Sequence, residues 1–166
     1  LSINVEEVQR IAISPRAVEY EAKLAPLCET RTIMRIDRAE PNKNIVRGFK
    51  AFELLLTRYP ELVGKVNFLA FLVPSRTHIR QYQRYMDEIN QVINRINSKF
   101  GNGEWQPIHA FVENNYTQAI AGMKLYDALL VNTLIEGMNL VAKEGPVVNT
   151  KDGVLILSES SGVHNQ

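Results

Sequence analysis

The hydrophobic positions of this chain change period repeatedly, from the alternation or unbroken runs of strands to the three-and-four spacing of helices. Val66 to Val73 is continuous and rich in valine, leucine and phenylalanine, as a strand covered on both faces would be. After Pro74-Ser75-Arg76 a helical stripe follows at Ile79, Tyr82, Met86, Ile89, Val92, Ile93, Ile96 and Phe100, closed by Gly101-Asn102-Gly103. Upstream, Ile45, Val46, Phe49, Phe52, Leu55 and Leu56 predict a helix that stops at Tyr59-Pro60. Thr30 to Ile36 alternates as a strand and ends in a polar loop, Asp37 to Asn44, where Pro41 prevents simple continuation. Ser14-Pro15 opens a helix carried by Ala17 to Leu27, with serine as N-cap and proline in the first turn. Ile108 to Val112 predicts a strand, Tyr116 to Tyr126 a helix, Ala128 to Val131 a strand, and Val154 to Leu157 one more strand. Leu1 to Ile13 shows no clear period. Strands alternating with helices in this way imply an α/β fold: one Rossmann-like domain over residues 1–166, with a mostly parallel sheet and helices on both faces.

In such a sheet ligands bind beyond the C-terminal ends of the strands, which makes the loops after Ile36, Val73, Val112 and Val131 the candidates. The last of these leads into Leu134 to Glu144, Leu-Ile-Glu-Gly-Met-Asn-Leu-Val-Ala-Lys-Glu. Gly137 breaks the extended chain and a helix is expected from about Met138, its first amides suited to an anion such as a phosphate. Glu144 falls about two turns later, where a carboxylate gains nothing from the helix dipole and reads as an acceptor, for instance for ribose hydroxyls. The bland alternative is a short core helix entered through a glycine turn. Arg38 and Lys43, in the loop after Ile36, are two cations that a diphosphate could lie against if the loops converge; otherwise they are two solvated loop charges. Arg76, just past a strand end, is open to either reading.

Composition narrows the alternatives. With 19 Lys and Arg against 18 Asp and Glu, a net charge of +1 gives no bulk attraction to nucleic acid or an anionic membrane. The single cysteine, Cys28, excludes an internal disulfide and a cysteine-based zinc cage. No apolar stretch is long enough to span a bilayer, so the expected location is cytoplasmic. The GxGxxG, Walker A, GxSxG and HExxH patterns are absent. His78, His109 and His164 lie without ligand spacing, and His109 in its apolar strand reads as structural. Trp105 reads as closing a helix-to-strand loop.

Several separated stretches then agree with one family. Asp37-Arg38 with Lys43, Phe49 to Glu53, Tyr59-Pro60-Glu61 with Val63 to Val66, Pro74-Ser75-Arg76, Arg95-Ile96-Asn97, Trp105 to Ile108, Gly137 to Glu144 and Gly153 to Ser158 resemble, in order, the C-terminal half of trehalose-6-phosphate synthases. That family comprises retaining glycosyltransferases of the GT-B fold, whose C-terminal half binds the nucleotide-sugar donor. The resemblance implies that Arg38 and Lys43 contact the donor diphosphate, that the backbone amides of Asn139 and Leu140 assist, and that Glu144 holds the ribose. It places Glu136 as the sugar-facing carboxylate, so that Arg38, Lys43 and Glu136 are the expected catalytic residues. No cofactor and no metal are implied. The expected donor is UDP-glucose, with GDP- and ADP-sugars as alternatives. The acceptor, a sugar phosphate, would bind a separate N-terminal half preceding residue 1, and a homo-oligomer stays open. Where the family has Arg-Asp before Gly-Met-Asn-Leu, this chain has Ile135-Glu136, and Asp-Arg-Leu-Asp-Tyr-x-Lys-Gly becomes Asp-Arg-Ala-Glu-Pro-Asn-Lys-Asn. A glucosylglycerol-phosphate synthase, a pseudo-glycosyltransferase relative, a nucleotide-binding module without turnover and a flavodoxin-like signalling domain are the other readings, the last disfavoured by the cations at the strand ends.

Overall fold

The computed structural model describes residues 2–164. Its centre is a five-stranded sheet in the order β3-β2-β1-β4-β5, formed by β1 (Arg31–Arg38), β2 (Val66–Val73), β3 (Ile108–Val112), β4 (Ala128–Val131) and β5 (Val154–Leu157). Every neighbouring pair is parallel. The chain builds outward from β1 to β3, then returns to the other side of β1 for β4 and β5, so strand order reverses between β1 and β4. That reversal is where an open α/β sheet leaves a crevice. The pairing of β1 with β4 is confined to Ile33↔Ala128 and Met34↔Leu129, and β1 runs on toward Arg38 beside β2.

Among the described residues six α-helices cover the sheet: α1 (Val5–Ala12), α2 (Pro15–Leu24), α3 (Ile45–Arg58), α4 (Arg80–Phe100), α5 (Tyr116–Met123) and α6 (Val141–Val148). Strand β2 shows why its run is apolar on both faces. Leu69 and Phe71 enter the core under α1, α2, α5 and α6, whereas Phe68, Ala70 and Leu72 enter the core under α3 and α4. Successive side chains leave a strand on opposite faces, so a strand covered twice calls for apolar residues on both; the buried Asn67 interrupts the run and is satisfied by the Leu27 carbonyl and the Trp105 indole. Phe49 and Phe52 of α3 meet Phe68 edge-on, with centroids 5.1 and 5.3 Å away.

The predicted elements are present, with differences that have local causes. The segment without clear period contains α1, capped by Asn4 Oδ1 accepting from the Glu7 amide at 3.1 Å. It buries Val8 and Ala12 with Ile11 packed beside them, a stripe at helical spacing that the exposed apolar residues Val5 and Ile13 obscure in the sequence. Helix α2 ends at Leu24, short of Leu27, because Pro26 closes the chain into a 3₁₀ turn over Ala25–Cys28. Strand β1 extends two residues beyond Ile36, pairing Asp37 with Leu72 and Arg38 with Val73. Helix α5 stops at Met123 instead of Tyr126, where a turn from the Leu125 amide to Gly122 carries Tyr126 into the core. Trp105 does close its loop: the Asn102 amide donates to its carbonyl at 2.9 Å and its indole donates to Asn67. Burial pushes the pKa of His109 down, and a backbone hydrogen bond at Gln106 opposes this, in keeping with a structural role. Among the described residues no helix is long and apolar enough to cross a membrane, and no cluster of three or more His, Cys, Asp or Glu could hold a metal.

Asp127, just before β4, gathers the far end of the sheet. It accepts from the Thr32 amide at 2.8 Å, from Arg31 at 2.9 Å and from Lys151 at 3.2 Å. Burial pushes its carboxyl up, but those three donors outweigh it and hold the pKa below its ordinary value. The ionised form is therefore favoured by folding, and its contribution is present above the unfolded pKa and lost as pH falls through the folded one. Asp127→Asn should cost about 1.5–3 kcal/mol at neutral pH in urea denaturation. The gap from the unmodified chain should close progressively below about pH 4.

Candidate functional site

The crevice between β1 and β4 is built on a buried ion pair. Arg35 and Asp37, two positions apart in β1, leave the strand on the same face. Arg35 is 0% exposed, and its Nε and Nη2 donate to Asp37 Oδ2 at 3.1 and 2.7 Å. The same guanidinium also donates to the carbonyls of Lys43 at 2.9 Å and Ile45 at 3.4 Å. Burial drives the pKa of Asp37 up, with the Arg35 and Lys43 charges pulling it back. Room for the guanidinium comes from Gly48, where an added Cβ would stand 2.5 Å from Arg35 Nη1. The polar loop after β1 is thus fastened from beneath.

Two loops then meet above it, as expected if Arg38 and Lys43 are to face the segment after β4. Asn44, in the left-handed region at φ 57°, gives its side chain to the Asn132 carbonyl at 3.0 Å. Asn132 returns a bond to the Asn44 carbonyl at 3.2 Å, and the Leu134 amide donates to the Asn42 carbonyl at 2.9 Å. Lys43 is 6% exposed and its ammonium pairs with Glu136 Oε1. Glu136 Oε2 accepts from Asn139 Nδ2 at 3.0 Å. The loop after β5 fixes the Glu136 backbone: its amide donates to Ser160, and its carbonyl accepts from Gly162 at 2.8 Å. Gly162 lies so close to the Gly137 carbonyl that any Cβ there would collide with it.

Helix α6 begins at Val141, three residues later than the sequence suggests, and Met138 to Leu140 form its approach. The reason is Asn139, whose Oδ1 accepts from the Ala142 amide at 2.9 Å and caps the helix. The amides of Asn139 and Leu140 consequently lie just ahead of the helix, outside its hydrogen-bond ladder. The later start also moves Glu144 into the first turn, which corrects its placement near the C-terminal end: the dipole favours this carboxylate. Glu144 is 8% exposed and accepts from the Tyr116 hydroxyl at 2.9 Å. Burial, then Glu144 itself, push the pKa of Tyr116 up, so the hydroxyl keeps its proton.

The other cations differ. Arg38 is a solvent-facing side chain, 59% exposed, held at 3.1 Å from Glu40. Glu40 is itself buried and accepts from Ser75 at 2.7 Å, tying the loop after β1 to the loop after β2. Arg76 occupies the left-handed region at φ 45° and donates to Tyr82 at 3.0 Å. So Lys43, Glu136, Asn139 and the adjoining Leu140 form one contiguous group, with Glu144 in the first turn of α6 beyond it, while Arg38 is held apart on Glu40. Residue-by-residue inspection of the sequence missed Arg35, Glu40, Ser75 and Tyr116. A signal existed for the first: an arginine between the apolar Met34 and Ile36 of a central strand, with an aspartate two residues on, calls for a buried pair. The contacts of Ser75 and Tyr116 join segments distant in sequence, for which the sequence gives no cue.

The sequence matches Glycosyltransferase family 20 over residues 1–166. It is 33% identical over 160 residues to the UDP-forming alpha,alpha-trehalose-phosphate synthase of Botryotinia fuckeliana, covering 95% of this chain and 30% of that protein. It is 37% identical over 134 residues to UDP-forming alpha,alpha-trehalose-phosphate synthase 1 of Aspergillus niger, covering 80% of this chain and 26% of that one. Among solved structures, the alpha,alpha-trehalose-phosphate synthase (UDP-forming) from Burkholderia xenovorans in complex with glucose-6-phosphate superposes with a TM-score of 0.91 at 28% identity, over 99% of this chain and 37% of that chain. The Escherichia coli protein bound with UDP-2-fluoro glucose gives 0.87 at 28% identity, over 98% of this chain and 37% of that one. The chain therefore spans roughly a third of the length of these relatives.

If the buried pair fastens the loop, Arg35→Met should cost about 3–5 kcal/mol, because it strands Asp37 without its cation. The double variant Arg35→Met, Asp37→Leu should recover part of that loss in urea denaturation.

Proposed function

Because the chain belongs to glycosyltransferase family 20, we propose that it is the donor-binding half of a retaining hexosyltransferase that moves a glucosyl group from UDP-glucose to a sugar phosphate. The observation that carries this reading is Lys43: a buried ammonium beside the approach to α6, paired with a carboxylate that stands on a loop. Amides ahead of a helix and a fixed cation together suit a diphosphate. Binding would exchange Glu136 for phosphate at Lys43, draw the exposed Arg38 from Glu40 to the diphosphate, and leave the Glu136 carboxylate to accept from sugar hydroxyls. Asn139 and Leu140 would offer their amides to the phosphates, and Glu144 would accept from the ribose.

The chemistry asks little of the side chains. The acceptor hydroxyl oxygen bonds to the anomeric carbon on the face the diphosphate leaves. The bond from that carbon to the phosphate oxygen breaks with its electron pair going to phosphate. The hydroxyl proton passes to a phosphate oxygen on the same face. No enzymic nucleophile is needed, and no cofactor. What the protein supplies is stabilisation of charge growing on the leaving diphosphate. Charge-assisted hydrogen bonds contribute about 1.5–3 kcal/mol each, so strengthening two of them is worth roughly two to four powers of ten in rate. The acceptor would bind a part of the protein outside this chain.

Calorimetric titration with UDP, GDP and ADP tests the reading. UDP should bind selectively, and Arg38→Ala with Lys43→Ala should weaken it by about a hundredfold or more. A folded chain that binds no nucleotide, or a double variant that binds UDP as before, would overturn it.

A further inference from the structure

Glu144 does not reach its position alone. Tyr116, the first residue of α5, donates its hydroxyl to Glu144 Oε1 at 2.9 Å across the gap between two helices. The start of α5 is itself anchored. Asn115 caps it, with Oδ1 accepting from the Gln118 amide at 3.0 Å, and the Asn115 amide group donates to the Tyr20 hydroxyl of α2 at 2.8 Å. A rigid donor on a fixed helix end is thus aimed at a carboxylate on another. A glutamate side chain has three rotatable bonds, and a single hydrogen bond to one oxygen removes most of that freedom. It does not use up the carboxylate, which has about four acceptor sites.

We propose that Tyr116 is a positioning residue for ribose recognition. It holds Glu144 by one oxygen so that the remaining lone pairs face the hydroxyls of a nucleoside diphosphate. This rests on the reading of Glu144 as the ribose-binding carboxylate. It adds that the first turn of α5, which contains none of the expected site residues, decides how well the site tells a ribonucleotide from a deoxy one. Because Tyr116 stays protonated, it donates throughout the ordinary pH range and the hold does not titrate away. A site that aims its carboxylate in advance rejects a ligand lacking the matching hydroxyls, since the lone pairs not used by Tyr116 would then be desolvated and unmatched.

The test compares UDP with 2′,3′-dideoxy-UDP by calorimetry, using the unmodified chain, Tyr116→Phe and Glu144→Gln, with melting temperatures recorded alongside. Phenylalanine keeps the ring and removes only the donor. The unmodified chain should prefer UDP by about tenfold or more. Tyr116→Phe should shrink that preference about fivefold while leaving dideoxy-UDP affinity and the melting temperature unchanged, and Glu144→Gln should abolish the preference. A Tyr116→Phe variant that keeps the full preference, or that weakens both ligands equally, would overturn the positioning role while Glu144 keeps its own. If Glu144→Gln also leaves the preference intact, or the unmodified chain shows none, the ribose reading of Glu144 fails and the role of Tyr116 fails with it.

Discussion

The structure depends on a charged pair placed where a hydrophobic core would ordinarily be. Arg35 and Asp37 sit in the middle strand of the sheet, both buried, and the guanidinium also takes the carbonyls of Lys43 and Ile45. Desolvating two charges costs about as much as their attraction returns, so the pair is poorly explained as a source of stability. What it provides is position. Without it, the segment from Ala39 to Asn44 would be held only from its outer side, by the bonds of Glu40 to Ser75 and of Asn44 to Asn132 among others. With it, the carbonyl of Lys43 is fixed, and its side chain is directed at the loop after β4. Gly48 follows from the same constraint, since α3 must pass over the guanidinium with no side chain in the way.

That arrangement changes the cost of binding an anion. An exposed lysine would have to lose its water and its freedom when a phosphate arrived. Lys43 has lost both already and is matched by Glu136, whose backbone is braced by Ser160 and Gly162 of the loop after β5. A phosphate replacing that carboxylate exchanges one charge-assisted bond for another, in a setting already dry and ordered. Three strand ends therefore contribute to one small region: β1 through Lys43, β4 through Glu136 and Asn139, and β5 through the residues that hold Glu136. Arg38 and Glu40 extend it toward the loop after β2, where Ser75 completes the connection.

The fold was legible because its strongest signals are short-range. The apolar run from Val66 to Val73, interrupted once by Asn67, and the long stripe of α4 depend on burial, and both lie where periodicity places them. Helix α1 was not legible, because the exposed Val5 and Ile13 blur the stripe that Val8, Ile11 and Ala12 make. The start of α6 was misplaced by a more instructive error. Asn139 can cap a helix or lie within its first turn, and only its bond to the Ala142 amide shows that it caps. The role of Glu144 relative to the dipole turned on that one residue. Arg38 and Lys43 looked alike in sequence, two cations in one loop; the structure separates an exposed arginine from a buried lysine because Arg35 and Glu136 act on only the second. Such distinctions rest on contacts between residues about ninety positions apart, which no local pattern encodes.

A structure of this chain with UDP bound most directly tests the claim that the β1–β4 crevice is a prepared diphosphate site. The account predicts a phosphate oxygen within hydrogen-bond distance of Lys43 Nζ, Glu136 released from that amine, and the ribose against Glu144. A nucleotide bound elsewhere on the surface, with the Lys43–Glu136 pair intact, would contradict it.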